Sequence, residues 1–276
     1  MRWPRSSSTV WSSAAGRHEG CSGPLDPWWT GPFPSACDAV GSAPPQARPG
    51  RCEMYVPEAF RLDDRARVAE VVRAFDFALL VTAPEGRAQA SHLPFLYDPD
   101  DVSEAGPQGT LRAHMARANP QWRDFAALAE AGGEALVVFQ GPHSYISPSW
   151  YGEGPPNVPT WNYVAVHAYG CPEVTEEPAA ARALLERMVA RQEAGLTPPW
   201  STAGLTEKYL DGMLRGLVAF RIPVSRLEAK AKLSQNKTTG QLAAAAAVLE
   251  AAAAPLARET GVWMRRALDG KPSQKA

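Results

Sequence analysis

Cysteine is scarce in this chain, the histidines lack metal-binding spacings, and neither a long apolar run nor an excess of one charge occurs. Each absence removes a class of protein. Three of the four cysteines, Cys21, Cys37 and Cys52, lie before residue 54 at spacings that match neither a zinc knuckle nor a CxxC redox pair, which excludes a disulfide scaffold. Cys171 is then alone, and a lone thiol reads as a packed side chain rather than a nucleophile. His92, His114, His143 and His167 show none of the HxxH, HxxxH or HExxH patterns, so no local metal or haem motif is present. GxSxG, Walker A and Rossmann glycine patterns are missing too, which removes support for hydrolase and nucleoside-triphosphatase functions. No segment reaches the ~18 uncharged apolar residues needed to cross a bilayer, and a cytoplasmic protein with no membrane partner is expected. With 28 basic against 29 acidic side chains the chain is no dedicated polycation for nucleic acid.

What is present is unevenly distributed. The first 53 residues carry 8 Pro, 6 Gly and 8 Ser and four of the nine tryptophans without any periodic apolar pattern. Such a segment cannot recover its ordering entropy, and it is expected to be a disordered extension or the product of a start assigned upstream of Met54. Residues 54–225 hold 14 basic against 21 acidic side chains, and residues 226–276 hold nine against four, so the signs segregate. The organisation expected is therefore an extension (1–53), a folded domain (54–225) and a basic C-terminal helical segment (226–276).

Periodicity assigns elements within the folded part. Val68, Val71, Val72 and Phe75 recur at helical spacing behind Asp63 and Asp64. Strands are expected at 77–82, at 87–97 with an interruption at Pro94, and at 109–114, 135–141, 163–170 and 217–222. Helices are expected at 120–131, from Pro178 through Val189, and at 205–214; the alanine-rich 239–254 stretch forms another, with a second helix after Pro255. Many short strands with few long crossovers indicate a mainly β protein with peripheral helices, an antiparallel barrel rather than a doubly wound sheet.

Four clusters carry chemistry. In the 110–122 segment, His114 and Arg117 run from a strand end into a helix start, where a guanidinium fork, an imidazole and free backbone amides suit a phosphate; the alternative is a surface loop with incidental charge. The 140–151 and 158–163 segments place Trp150, Trp161 and Tyr163 among prolines and hydroxyls, which suits a planar heterocycle, although such aromatics also build cores. The fourth, 230–237, offers Lys232, Gln235 and Lys237 as donors or, alternatively, as a helix-capping linker.

Taken together, Met54-Tyr55-Val56-Pro57, Ser91-His92-Leu93-Pro94-Phe95, the His114 to Trp122 loop, Phe139-Gln140-Gly141-Pro142-His143 through Tyr151, Val158 to Tyr163 and Lys232-Leu233-Ser234-Gln235-Asn236-Lys237 resemble the PaiB family, described as FMN-binding negative transcriptional regulators. The resemblance runs in consistent order from residue 54 to about 270. It implies a split β-barrel that forms a homodimer and binds FMN at the subunit interface. By motif position it implies His114, Arg117 and Asn119 at the flavin phosphate and Ser91 and His92 at the polar edge of the ring. Trp150, Trp161 and Tyr163 would form the ring wall, and Lys232, Gln235 and Lys237 would close the site. Two functions from different classes follow from it: a repressor whose basic C-terminal helices meet DNA or a regulatory protein, or an FMN-dependent oxidoreductase of the flavin-reductase or pyridoxamine-phosphate-oxidase kind. Haem handling through a histidine is a third, and no helix-turn-helix signature accompanies the first.

Overall fold

Phe95 marks the corner on which the fold turns. In the computed structural model, which describes residues 53–153 and 156–269, strand β2 (Gln89–Pro94) ends immediately before it and β3 (Leu96–Asp98) begins immediately after it. The two strands belong to different sheets. One is five-stranded in the order β2, β1 (Phe77–Thr82), β5 (Ala135–Ile146), β6 (Thr160–Gly170), β9 (Arg226–Lys232); the other is four-stranded in the order β3, β4 (Thr110–Ala116), β8 (Leu217–Pro223), β7 (Glu173–Val174). Every pairing is antiparallel. The chain divides between Arg51 and Cys52, and the Pro-, Gly- and Ser-rich extension lies outside the described residues.

Both sheets close on one core. Phe95 meets Phe139 of β5 at 5.9 Å and Phe220 of β8 at 6.2 Å, both edge-on, and all three rings are fully buried, so the trio joins the sheets across the interior. The chain crosses between the two sheets at Phe95, at 171–172 and at 224–225. A Cβ on Gly170 would lie 2.1 Å from the Pro223 carbonyl, so only glycine lets the end of β6 pass the end of β8. The result is a split barrel: antiparallel sheets that share an interior without a continuous hydrogen-bonded ring.

Helices cover part of this frame. Asp64 caps α1 (Arg65–Ala74) by accepting from the amides of Ala66 and Arg67, and Val68, Ala69, Val71 and Val72 form its buried face. A single turn (Pro120–Arg123) leads into α2 (Asp124–Glu130), which buries Phe125 and Leu128. Helices α3 (Pro178–Glu193) and α4 (Glu207–Arg215) are inserted between β7 and β8. The segment expected to be helical from Arg226 onward starts instead as strand β9, whose alternation is masked in sequence by Glu228, Lys230 and Lys232 on its outer face. Helices follow only at α5 (Thr239–Glu250) and α6 (Pro255–Asp269). Thr238 and Gln241 form a capping box for α5, and Pro255 opens α6.

These two helices are docked. Leu242, Ala245, Ala246, Leu249, Trp263 and Met264 join the common core, and a Cβ on Gly261 would press on the backbone of α5. The cations of the segment are engaged as well. Arg226 pairs with Glu228, Arg265 with Glu250 and Arg266 with Glu70, Arg258 donates to the carbonyls of Ala252 and Ala253, and Lys230, Lys232 and Lys237 donate to Tyr55, Thr160 and Asn157.

Candidate functional site

β4 ends at Ala116, and the chain beyond it is held by an amide side chain. Asn119 caps the following turn by accepting from Gln121 N, and its Nδ2 donates to Ser91 Oγ at 2.8 Å. Gln121 is fully buried and donates from Nε2 to Leu80 O, Thr82 Oγ1 and Gln89 O. Together these bonds pin the end of β4 to the β1–β2 hairpin across the gap between the sheets. Ser91 and Asn119, expected at the ring edge and at the phosphate respectively, are thereby brought into contact. His92 points to the opposite face of β2 from Ser91 and stacks on the exposed Phe77 ring.

His114 and Arg117 meet at a cavity of about 580 Å³ between the outer face of the four-stranded sheet and α3 and α4. Its walls are largely apolar, from Trp122, Val174, Leu185, Leu214 and Val218. The Arg117 Nε donates to Arg215 O at 2.9 Å and one terminal nitrogen donates to Leu217 O at 2.8 Å. Among the described residues no carboxylate lies within ion-pairing distance of this guanidinium, whereas Arg112, Arg182, Arg187, Arg191 and Arg221 all have one. Carbonyls orient a cation without neutralising it, so Arg117 keeps its full charge for an anion. Burial pushes the His114 imidazole below its usual range, and its Nδ1 is buried without a partner.

One part of the expected phosphate site differs. The amides of Arg117, Asn119 and Gln121 are not free: they donate to Gly216 O, Ala116 O and the Asn119 side chain. The turn that fixes Asn119 uses them. Glu176 and Asp211 also line the cavity, features that the sequence did not mark because each sits on an insertion whose facing is set only by packing.

The other site residues lie elsewhere within one chain. Tyr145, Trp150 and Trp161 form two edge-to-face pairs at 6.2 and 6.3 Å, with Trp161 on the outer face of the five-stranded sheet beside Tyr163 and Lys232. Trp161 is 55% and Tyr145 42% exposed. Gln235 is turned inward on its own loop, accepting from Leu233 N at 2.7 Å and donating to Ala231 O. Lys237 lies over the Tyr151 ring at 5.5 Å. Between them Ser234 Oγ meets Tyr151 Oη at 2.8 Å and Asn162 Nδ2 at 2.9 Å, in the buried interior. The 147–151, 160–163 and 232–237 motifs thus converge on one buried polar network, a positioning role that short-range sequence patterns do not reveal. Two different outer faces therefore carry the two halves of the expected site: His114 and Arg117 on one, and Trp161, Tyr163 and Lys232 on the other.

Two antiparallel sheets that share one core without closing, with a cavity under an inserted helical roof, define a split-barrel protein. The chain belongs to the family described as "Putative FMN-binding domain", whose model matches residues 54–226, and FMN is its cofactor. The donor set fits that group: the guanidinium of Arg117, with no ion-paired carboxylate among the described residues and the His114 imidazole lining the same cavity, is what a phosphate would take. It is 38% identical over 184 residues to "Protease synthase and sporulation protein PAI 2" of Bacillus subtilis, covering 67% of this chain and 83% of that protein. An uncharacterised protein of Emericella nidulans is 32% identical over 55% of this chain and 71% of its own length. Among solved structures, the FAD and heme binding protein from Mycobacterium smegmatis superposes with a TM-score of 0.47 at 17% identity, over 62% of this chain and 73% of that one.

Proposed function

We propose that this protein is a PaiB-type, FMN-binding negative regulator acting as a cytoplasmic homodimer. In this reading His114 and Arg117 hold the flavin phosphate of one copy, with Asn119 and Ser91 behind them and His92 at the polar edge. The second copy supplies the wall of Trp150, Trp161 and Tyr163 and the closing donors Lys232, Gln235 and Lys237. The observation that carries the reading is Arg117: a cation oriented by two carbonyls, lining a cavity, with no carboxylate within ion-pairing distance among the described residues, while Glu176 and Asp211 line the same cavity farther off. The exposed aromatic residues of the five-stranded sheet support the second copy, since large apolar side chains in one patch favour a protein interface. A flavin held there is an electron carrier, and the protein's own groups orient it and set the charge around it.

The C-terminal helices enter this reading as a surface for a regulatory protein. Seven cations of 226–269 already have protein acceptors, which leaves little for the phosphate contacts that dominate DNA affinity. The second reading, an FMN-dependent oxidoreductase, draws on the room left in the cavity beside His114. Mixing purified, flavin-loaded protein with NADH and NADPH separates the two. The regulator reading expects no sustained turnover; bleaching of the flavin with turnover would replace it with the oxidoreductase. Salt-sensitive retention of promoter DNA would move the regulatory contact from a protein to DNA.

A further inference from the structure

His114 lines a second cavity as well. This space of about 340 Å³ is bounded by Pro94, Phe95 and Leu96 at the sheet corner, by Met188 and Val189 of α3 and by the Trp200 ring. Its polar lining groups are almost all engaged within the protein. Gln192 Nε2 donates to Asp76 Oδ2 at 2.9 Å, Arg191 Nε donates to the same oxygen at 3.0 Å, and Glu193 Oε2 accepts from Trp200 N at 2.8 Å. His114 differs, because its Nδ1 is buried with no partner. A rotation of the ring about Cβ–Cγ exchanges the edges it turns to either side, so one imidazole can serve both cavities.

The chemistry of this wall selects its ligand. Apolar walls from Met188 and Val189 and the face of the Trp200 ring suit a small ring. Asp76 is matched by Arg191, whereas Glu193 has no cation within ion-pairing distance among the described residues and repels an anion. An unmet polar atom at one end calls for a single hydrogen-bonding group, since a buried polar atom without a partner is costly. We propose that this cavity is a binding site for a small neutral aromatic compound with one polar substituent, a simple phenol in size and polarity, bound beside the flavin with its polar group on His114. The proposal deepens the reading above, in which the same imidazole meets the flavin phosphate.

Calorimetric titration of the full chain with p-cresol, toluene and benzoate tests it, with FMN affinity measured in parallel. p-Cresol is expected to bind about fivefold or more tightly than toluene, by the worth of one hydrogen bond, and benzoate more weakly than either. Val189→Trp, which fills the cavity from a partly exposed position on α3, should abolish p-cresol binding while leaving FMN affinity and the melting temperature unchanged. Equal binding of p-cresol and toluene, binding of benzoate at least as tight as that of p-cresol, or undiminished p-cresol binding by a folded Val189→Trp would overturn it. Failure of the flavin reading has a different signature: no FMN bound while p-cresol and Val189→Trp behave as stated.

Discussion

The two outer faces of the barrel have been finished differently. The four-stranded sheet is roofed by its own insertion, α3 and α4, and beneath that roof lie the cavities that share His114. The five-stranded sheet leaves Phe77, Tyr145 and Trp161 in solvent and carries Lys230 and Lys232 on strand β9. A face covered by its own chain can enclose a small molecule, because its walls are fixed by the fold. A face left with large apolar side chains in water is unfinished until another surface covers it. In the proposed reading the first face holds the ligand and the second associates with another copy, and both rest on the core that joins the sheets.

The largest effect should come from breaking what the faces share. Phe220→Ala removes the ring that packs on both Phe95 and Phe125 and should lower stability by about 3–5 kcal/mol, read as a shift in the denaturant midpoint. If the two sheets were independent, the loss would be smaller and only one face would be affected. Next in size, Trp161→Asp puts a charge in the exposed aromatic patch and should weaken self-association by roughly 30-fold or more in sedimentation experiments, with the monomer's fold intact. Unchanged association would place the interface elsewhere.

Acidification sharpens the same comparison, because each face has one half-buried imidazole. Burial lowers the proton affinity of both His114 and His167, the latter against the opposing pull of Glu228. The unfolded chain therefore binds more protons than the folded one near and below pH 6.5, the ordinary histidine value, and stability should fall as the pH drops through that value. Thermal melts of the flavin-free protein between pH 8 and pH 5 should show this slope, and His114→Asn should flatten it; a wild-type profile that is level or rises toward acid would contradict the burial of these rings. The smallest effect belongs to the docked C-terminal helices. Arg265 and Glu250 are each about one-third exposed, so Arg265→Ala should cost about 1 kcal/mol or less in a chemical melt.

Much of this frame was legible in the sequence, and the reasons are local. Alternation of Val164, Val166 and Ala168 against Tyr163, Ala165, His167 and Tyr169 identified β6, and Pro94 placed the break that Phe95 turns into a corner. The short strand at Glu173–Val174 and all of β9 escaped, because their identity depends on pairing with distant strands, while Glu173 and Val174 are exposed and β9 alternates charged residues with mostly small ones. The proximity of His114 to Arg117 followed from three residues of separation at a strand end. That Arg117 is anchored by the carbonyls of Arg215 and Leu217, roughly a hundred residues away, did not. The 232–237 motif carried the least visible role: the left-handed Ser234 directs its hydroxyl into the Tyr151–Asn162 network, a conformation that no spacing rule encodes.

The assignment of the flavin phosphate is tested most directly by titrating the full chain and its Arg117→Ala variant with FMN and following flavin absorbance that travels with the protein on a sizing column. The wild-type chain should retain the flavin, and the variant should bind it about 10- to 100-fold more weakly, the worth of one charged hydrogen-bonding group, while melting as the wild type does. Equal retention by the two would contradict the account and free that guanidinium for a purely structural task.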